Sequence, residues 1–480
     1  MKQLLSLCLL LTFILVSCEK QMRTMPQQSL TEENTARNLD YNGHLKQTKT
    51  FSSDVLLHWT DFQLTLYKAN AASTGGVAGA RYPAITGIAA YESVVPGMPA
   101  YRSLAGQLNG LSGLPTTEPG KAYYWPEALN AALAYVTTNL FPSAGFTGGK
   151  AAQDLAIKNF SDGLYAEFMN AGASEELLLR SQAFGIGVAT KIMEWANLDK
   201  SGWPADFASY PNLNPPIGTD AVGDNSFDIN SGKWVRTAAA PAALPYWGYT
   251  RLSVPGSLDG IERTSPYTYS TENGSPFRNM ILDIYNKSFN PHGYSEADRQ
   301  TIANYYAAAG YGGGFYLNIV KQVLVKANPT LDISALVMAQ SGIAGFDAGI
   351  GCIQVKYADF VVRPQTYIRK VLGFSSWLPS IGQPNHPEYP SGHSTLAGAV
   401  GEVLIKNFGD HFSFTDSSFV NFTGTGHFDA RFHSSIQDFQ HEIGDSRVYG
   451  QIHYPGSCEA GIVLGTKVAD NVLNTLKFLK

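Results

Sequence analysis

An excess of basic residues is missing from this chain: 34 Lys and Arg stand against 39 Asp and Glu, a net charge of −5. Without a basic stripe, nucleic acid is not an expected partner. Also missing, beyond the first 16 residues, is any hydrophobic run that reads as a membrane span. Strand-like alternation is almost absent and no internal repeat is visible, so the expected class is all-α. Cysteine is scarce, with four in 480 residues. What remains is a chain 44% apolar, rich in aromatics and carrying 47 glycines. That composition suits one large domain or two fused ones, with a sizeable core and many irregular loops.

Met1-Lys2-Gln3 precedes an apolar run from Leu4 to Val16, too short to span a bilayer and typical of an export signal. Leu15-Val16-Ser17-Cys18 resembles the lipobox of bacterial lipoproteins, which implies loss of residues 1–17 and a lipid on Cys18. The expectation is an exported protein, anchored by lipid to a bacterial membrane on the periplasmic or cell-surface side. Residues 18–50, polar and poor in apolar anchors, read as a flexible tether. Cys8 leaves with the signal, so Cys352 and Cys458 remain for an oxidising compartment. Each is close in sequence to Lys356 or His453, and a disulfide between them is expected.

The body divides into a helical region over 51–275 and a catalytic bundle over 276–480. Helical spacing begins near Ser53 with Trp59, Phe62, Leu66 and Tyr67, breaks at Gly75-Gly76, and resumes through Ile85, Ile88, Ala89 and Val94. Two long helices follow over 150–197. Ser174 caps the second, which places Leu177, Phe184, Val188, Ile192 and Trp195 on one face. Residues 198–275 have no periodicity, yet Trp234, Tyr246 and Trp247 mark a packed functional loop. Helices are expected again over 276–290, from Ser295 through Tyr306, over 316–328 and over 332–363.

The residues that carry chemistry lie late in the chain. The stretch His386-Pro387-Glu388-Tyr389-Pro390-Ser391-Gly392-His393-Ser394-Thr395 is extended at its prolines. After Pro390 it turns helical, because Leu396, Ala399, Val400 and Val403 recur at helical spacing. Ser391, Gly392 and His393 then stand at a helix N-terminus, where free N–H groups attract anions. Lys356 and Arg363, on an apolar predicted helix stopped by Pro364, would project from one face, and two buried like charges need an anion. Arg447 and His453 flank a break marked by Gly450 and Pro455, which would let both converge.

Taken together, Lys356-x6-Arg363-Pro364, Pro390-Ser391-Gly392-His393 and Ser446-Arg447-x5-His453 resemble, in order and spacing, a known tripartite motif. It is that of the superfamily of type 2 phosphatidic acid phosphatases and vanadium haloperoxidases. The resemblance implies a helical bundle around a site for phosphate or vanadate. By motif match, Lys356, Arg363 and Arg447 neutralise equatorial oxygens, Ser391 and the Gly392 N–H donate to them, His453 is the axial ligand of the metal, and His393 lies opposite as acid–base.

Three further features resemble the haloperoxidase branch: the upstream extension from His386, the Trp234 and Leu244-Pro245-Tyr246-Trp247-Gly248 loop, and Phe346-Asp347-Ala348-x-Ile350. His386, where chloroperoxidases tend to have Phe, resembles the bromoperoxidase type and is a candidate for the halide side of the site. The implied activity is vanadate-dependent oxidation of iodide or bromide by hydrogen peroxide to hypohalous acid, with Lys356 polarising the peroxide. The alternative is an acid phosphatase, in which His453 attacks a phosphate ester to form a phosphohistidine and His393 protonates the leaving oxygen. Phosphatases usually carry Asp where this chain has Ser457, which weakens that alternative and leaves open what orients His453. A third reading is a surface lipoprotein that keeps the fold for binding only.

Overall fold

Helix α9 (Leu331–Asp359) is apolar on every side, and the fold explains why: each side is covered by protein. Every residue from Ser334 to Ile353 is buried. Among the described residues it is the one helix long and apolar enough to cross a bilayer, and it lies wholly inside the protein instead. A computed structural model describes residues 46–199, 219–221, 224–308, 312–420 and 428–480. The expected signal, Cys18 and most of the tether lie outside the described residues. Among those described, thirteen α-helices and a single hairpin, β1 (Phe414–Asp416) paired antiparallel with β2 (Arg431–His433), make the fold all-α.

The N-terminal helices α1 (Asp54–Ala69), α2 (Arg81–Val94), α3 (Trp125–Leu140), α4 (Gly149–Asn170) and α5 (Glu175–Ala196) pack beside α9, with α2 lying along it. Ser174 caps α5 by accepting from the Leu177 N–H, and the five residues expected on its inner face are all buried. Helix α3 has no counterpart in the sequence reading. It is buried nearly all round, so it lacks the polar face that reveals an amphipathic helix. Its polar residues are paired internally: Asn130 accepts from the Trp59 indole at 2.9 Å and donates to Glu127.

The aromatic-rich loop is packed as expected, with Trp234, Tyr246 and Trp247 buried; residues 200–218 and 222–223 of that stretch lie outside the described residues. Two carboxylates pin it. Asp220 accepts from Gln365 and Thr366, and Asp347 accepts from the N–H groups of Ser253 and Val254 at 2.8 and 3.0 Å.

Helices α6 (Pro276–Tyr285), α7 (Glu296–Ala307, capped by Ser295) and α8 (Phe315–Ala327) lead into α9. The helix expected to continue through residue 363 does not. It ends at Asp359, Phe360 turns left-handed at φ 55°, and Arg363 becomes the extended N-cap of a short helix α10 (Pro364–Lys370). Pro364 disfavours a helical conformation at the residue before it, so Lys356 and Arg363 meet through a turn and not on one helix face.

Helix α11 (Gly392–Phe408) starts at the motif, capped by Ser391, and α12 (Ile436–Tyr449) and α13 (Pro455–Thr475) complete the bundle. α13 lies almost backbone to backbone on α11. A Cβ on Gly461 would stand 2.6 Å from the Ser391 carbonyl oxygen, and one on Gly465 would stand 2.0 Å from that of Thr395. The expected disulfide does not form. Cys352 and Cys458 are both free and buried. Cys352 Sγ faces the Pro390 carbonyl at 3.9 Å, whereas Cys458 packs toward Gly444 on α12.

Candidate active site at the meeting of helix ends

Every motif residue sits at a helix end or in the turn beside one. Lys356 is in the last turn of α9, Arg363 caps α10, and Ser391 caps α11. Arg447 is in the last turn of α12, and His453 lies in the turn between Gly450 and Pro455. The break expected there is present, with Gln451 at φ 61°.

Lys356 is fully buried, and its Nζ donates to the carbonyls of Pro387 at 2.9 Å and Glu388 at 2.8 Å, which leaves one N–H free. Burial lowers its pKa to about 7. Arg363, also buried, donates from Nε to the His386 carbonyl at 2.9 Å and from Nη1 to the Ile452 carbonyl at 2.7 Å. Nη1 is also 3.2 Å from His453 Nε2, and Nη2 is 3.0 Å from Nδ1 of the half-buried His386. Arg447 donates from Nη1 to the Tyr306 carbonyl at 3.1 Å; its Nε and Nη2 are buried and have no partner among the described residues. Burial lowers both arginines to about 10, so both are charged at neutral pH.

Ser391 Oγ accepts from the Ser394 N–H at 3.3 Å and the Ser394 hydroxyl at 2.9 Å, so its own hydrogen is left to donate. The N–H groups of Gly392 and His393 have no acceptor among the described residues, as expected for a helix start. The His393 ring is open to solvent although protein surrounds it, as in a cleft. That surrounding protein, then the charges of Arg447, Lys356 and Arg363, hold its pKa well below the ordinary imidazole value. Burial and the same cations, Arg363 first, do likewise to His453.

Glu388, which the sequence reading did not single out, lies 2.7 Å from His453 Nδ1 through its Oε1. The same oxygen accepts from the Tyr454 N–H at 2.9 Å, and Oε2 accepts from the Ser457 hydroxyl at 2.6 Å. It answers the question of what holds His453. The signal was in view, a carboxylate between two prolines of the motif itself, but its partner stands 65 residues away.

Two buried guanidiniums, with Lys356 as a third cation when protonated, therefore face one buried carboxylate, whose own pKa burial raises and Arg363 opposes. Such a surplus requires an anion. The unpartnered donors of Arg447, Ser391 and Gly392 fit the oxygens of a tetrahedral oxoanion, and His453 adds a single imidazole nitrogen. No cluster of three His, Cys, Asp or Glu suited to a bare cation occurs among the described residues. The donor set thus fits phosphate or vanadate. Of the residues expected there, Arg363 meets both His386 and His453, Lys356 meets the carbonyls of Pro387 and Glu388, and the charges of Arg447, Lys356 and Arg363 act on His393.

The family model that matches the chain is the VCPO second helical-bundle domain, over residues 336–479. The structure is similar to that of the first bacterial vanadium-dependent iodoperoxidase, with a TM-score of 0.73 and 27% identity, covering 90% of this chain and 98% of that one. It is similar in fold to a bacterial vanadium-dependent chloroperoxidase in its apo and holo forms. For both the TM-score is 0.59 and the identity 17%, covering 84% of this chain and 94% and 92% of those. No curated protein matches the sequence. Fold and donor set define a helical-bundle protein built to hold an oxoanion. With the motif triplet in place, residues 336–479 match the second helical-bundle domain of the VCPO family model, and the chain is similar to a bacterial vanadium-dependent iodoperoxidase over 90% of its length.

Proposed function

We propose that this chain oxidises a halide, iodide or bromide, with hydrogen peroxide, using vanadate held in the cage. The observation that carries the reading is the pair of buried Arg447 nitrogens with no partner among the described residues, taken with the Glu388 carboxylate on His453 Nδ1, which would leave the lone pair to Nε2. Lys356, Arg363 and Arg447 would balance the oxoanion's charge, Ser391 and the Gly392 N–H would donate to its oxygens, and His453 Nε2 would supply one nitrogen to hold it. Bound vanadate supplies Lewis acidity that makes peroxide electrophilic without a change of oxidation state.

The net reaction, halide plus hydrogen peroxide plus a proton giving hypohalous acid and water, consumes one proton. His393, neutral and open to solvent, would take a proton from incoming peroxide and return protons as water leaves. The remaining N–H of Lys356 would polarise peroxide. The similarity to a bacterial iodoperoxidase favours iodide over chloride, and His386 beside Arg363 is the candidate on the halide side.

The test is one preparation loaded with vanadate and assayed for peroxide-dependent iodide and bromide oxidation, and separately for phosphate-ester hydrolysis. Halide turnover that phosphate suppresses supports the reading. Ester cleavage without halide turnover reverses it in favour of the phosphatase.

We also infer export and a lipid anchor at Cys18, supported by the Leu15-Val16-Ser17-Cys18 run alone. A Cys18→Ala chain that stays membrane-bound and lipid-labelled would overturn this.

A further inference from the structure

We propose that Glu388, held by Ser457 and Tyr267, is the positioning residue that fixes the tautomer of His453 and aims its Nε2 lone pair into the cage. The inference rests on the oxoanion reading of the site, and it adds Glu388, Ser457 and Tyr267, which the reaction above does not use.

The hydrogen bonds run one way. Ser457 has one hydroxyl hydrogen and lies 2.6 Å from Glu388 Oε2, a carboxylate oxygen that can only accept. Ser457 therefore donates to Glu388, and the Tyr267 hydroxyl, 3.1 Å from Ser457 Oγ, donates to Ser457. On the other oxygen, the Tyr454 N–H and His453 Nδ1 both point inward. Every partner is a donor to one fully buried carboxylate. With Glu388 ionised, such an arrangement puts the hydrogen on Nδ1 and the lone pair on Nε2.

The reverse tautomer fails twice. It would set a bare Nδ1 against a carboxylate, and an Nε2–H against Arg363 Nη1 at 3.2 Å, donor facing donor. It would also remove the lone pair that a ligand needs. A partner that fixes a ligand imidazole in this way is commonly worth ten- to a hundredfold in affinity.

Glu388 also works through its backbone. Its carbonyl accepts from Lys356 Nζ at 2.8 Å, so one residue holds the first motif by its main chain and the third by its side chain. A purely structural brace would need the carbonyl and the shape of the side chain, not its charge. That difference is testable, because Ser457 Oγ stands within hydrogen-bond distance of the carboxylate and an acid placed there would reach the same region.

The experiment uses the intact chain with and without orthovanadate. Nitrogen-15 spectra of labelled histidine, on the protein before loading, report which ring nitrogen of His453 carries hydrogen; a His453→Ala spectrum assigns the signal. Equilibrium binding gives the vanadate and phosphate Kd.

The wild type is expected to show Nδ1–H. Glu388→Gln, nearly the same shape without the charge, is expected to show a mixture and to bind vanadate about ten- to a hundredfold more weakly. Adding Ser457→Asp to it should restore at least part of both. Glu388→Asp, which keeps the charge at shorter reach, should fall between and covers the case in which the Gln variant does not fold.

An unchanged tautomer and Kd in folded Glu388→Gln overturns the proposal. Failure of the wild type to bind either oxoanion overturns the proposed function instead, and the tautomer comparison still decides the role of Glu388.

Discussion

Nη2 of Arg363 lies 3.0 Å from Nδ1 of His386. A guanidinium only donates, so toward Arg363 that nitrogen is an acceptor, while the Pro387 carbonyl 3.1 Å away asks a hydrogen of the same atom, and the two partners compete for it. Burial, then the charges of Lys356 and Arg363, hold the pKa of His386 well below the ordinary value, so a neutral ring stands against a cage arginine. Replacing it with Phe removes the acceptor. His386→Phe is expected to weaken oxoanion binding about three- to tenfold, near 1 kcal/mol, and to change the ratio of iodide to bromide turnover. Titration and paired halide assays check this; if neither quantity moves, His386 has no part in the site.

Arg447 offers a sharper contrast. Two of its nitrogens are buried without partners, so in the protein without oxoanion its charge is a burden. Arg447→Met is expected to leave the melting temperature of the unloaded protein equal or higher, while vanadate affinity falls at least a hundredfold, about 3 kcal/mol. Thermal unfolding and equilibrium binding together provide the check. A lower melting temperature with unchanged affinity would place Arg447 in the scaffold and outside the cage.

Lys356 links binding to pH. Burial lowers its pKa to about 7, below the unfolded value of about 10.4. Between those values the unfolded chain binds more protons, so this residue's contribution to stability rises with pH across the window. An arriving oxoanion favours the ammonium, and at pH 8 binding should therefore draw a proton onto Lys356. Calorimetry in buffers of different ionisation enthalpy measures that uptake, using phosphate so that the ligand's own titration can be subtracted. Lys356→Met should abolish the residue's share; uptake identical in both proteins would contradict the assignment.

The two thiols give a compositional check. Denatured, unreduced protein truncated before residue 46 should titrate with two free thiols, in line with Cys352 and Cys458 facing different elements. Reducing agent should leave its melting temperature unchanged. Absence of free thiol would show that oxidation can draw these helices together.

Much of this was legible in sequence because the information is local. Ser391 caps a helix wherever it stands before a run like Leu396, Ala399, Val400 and Val403, and the break between Arg447 and His453 is written in Gly450 and Pro455. What failed was non-local or silent. Lys356 and Arg363 looked like two turns of one helix, but Pro364 acts on Arg363 and overrides the count. Helix α3 was silent because burial on all sides erases the periodicity that betrays a helix. Glu388 reads only as part of the extended entry to α11, since nothing in the decapeptide says that His453 will arrive beside it.

The contact of α13 with α11 sets a further expectation. Gly465→Ala would push a methyl into the Thr395 carbonyl, 2.0 Å away, and should cost about 1–3 kcal/mol in urea unfolding. Oxoanion affinity should fall with it, since Ser391 and Gly392 ride on α11. A variant that loses stability yet keeps full affinity would show that the motif turn is independent of the helix behind it.

Because at Gly461 and Gly465 the main chain of α13 meets the main chain of α11, no rotamer of those two residues can widen or narrow the gap there. The aperture offered to the guest is then a property of the peptide backbone, as a calliper's opening belongs to its frame. Evolution could trade side chains around the rim to suit one small anion or another while the gauge itself stayed constant.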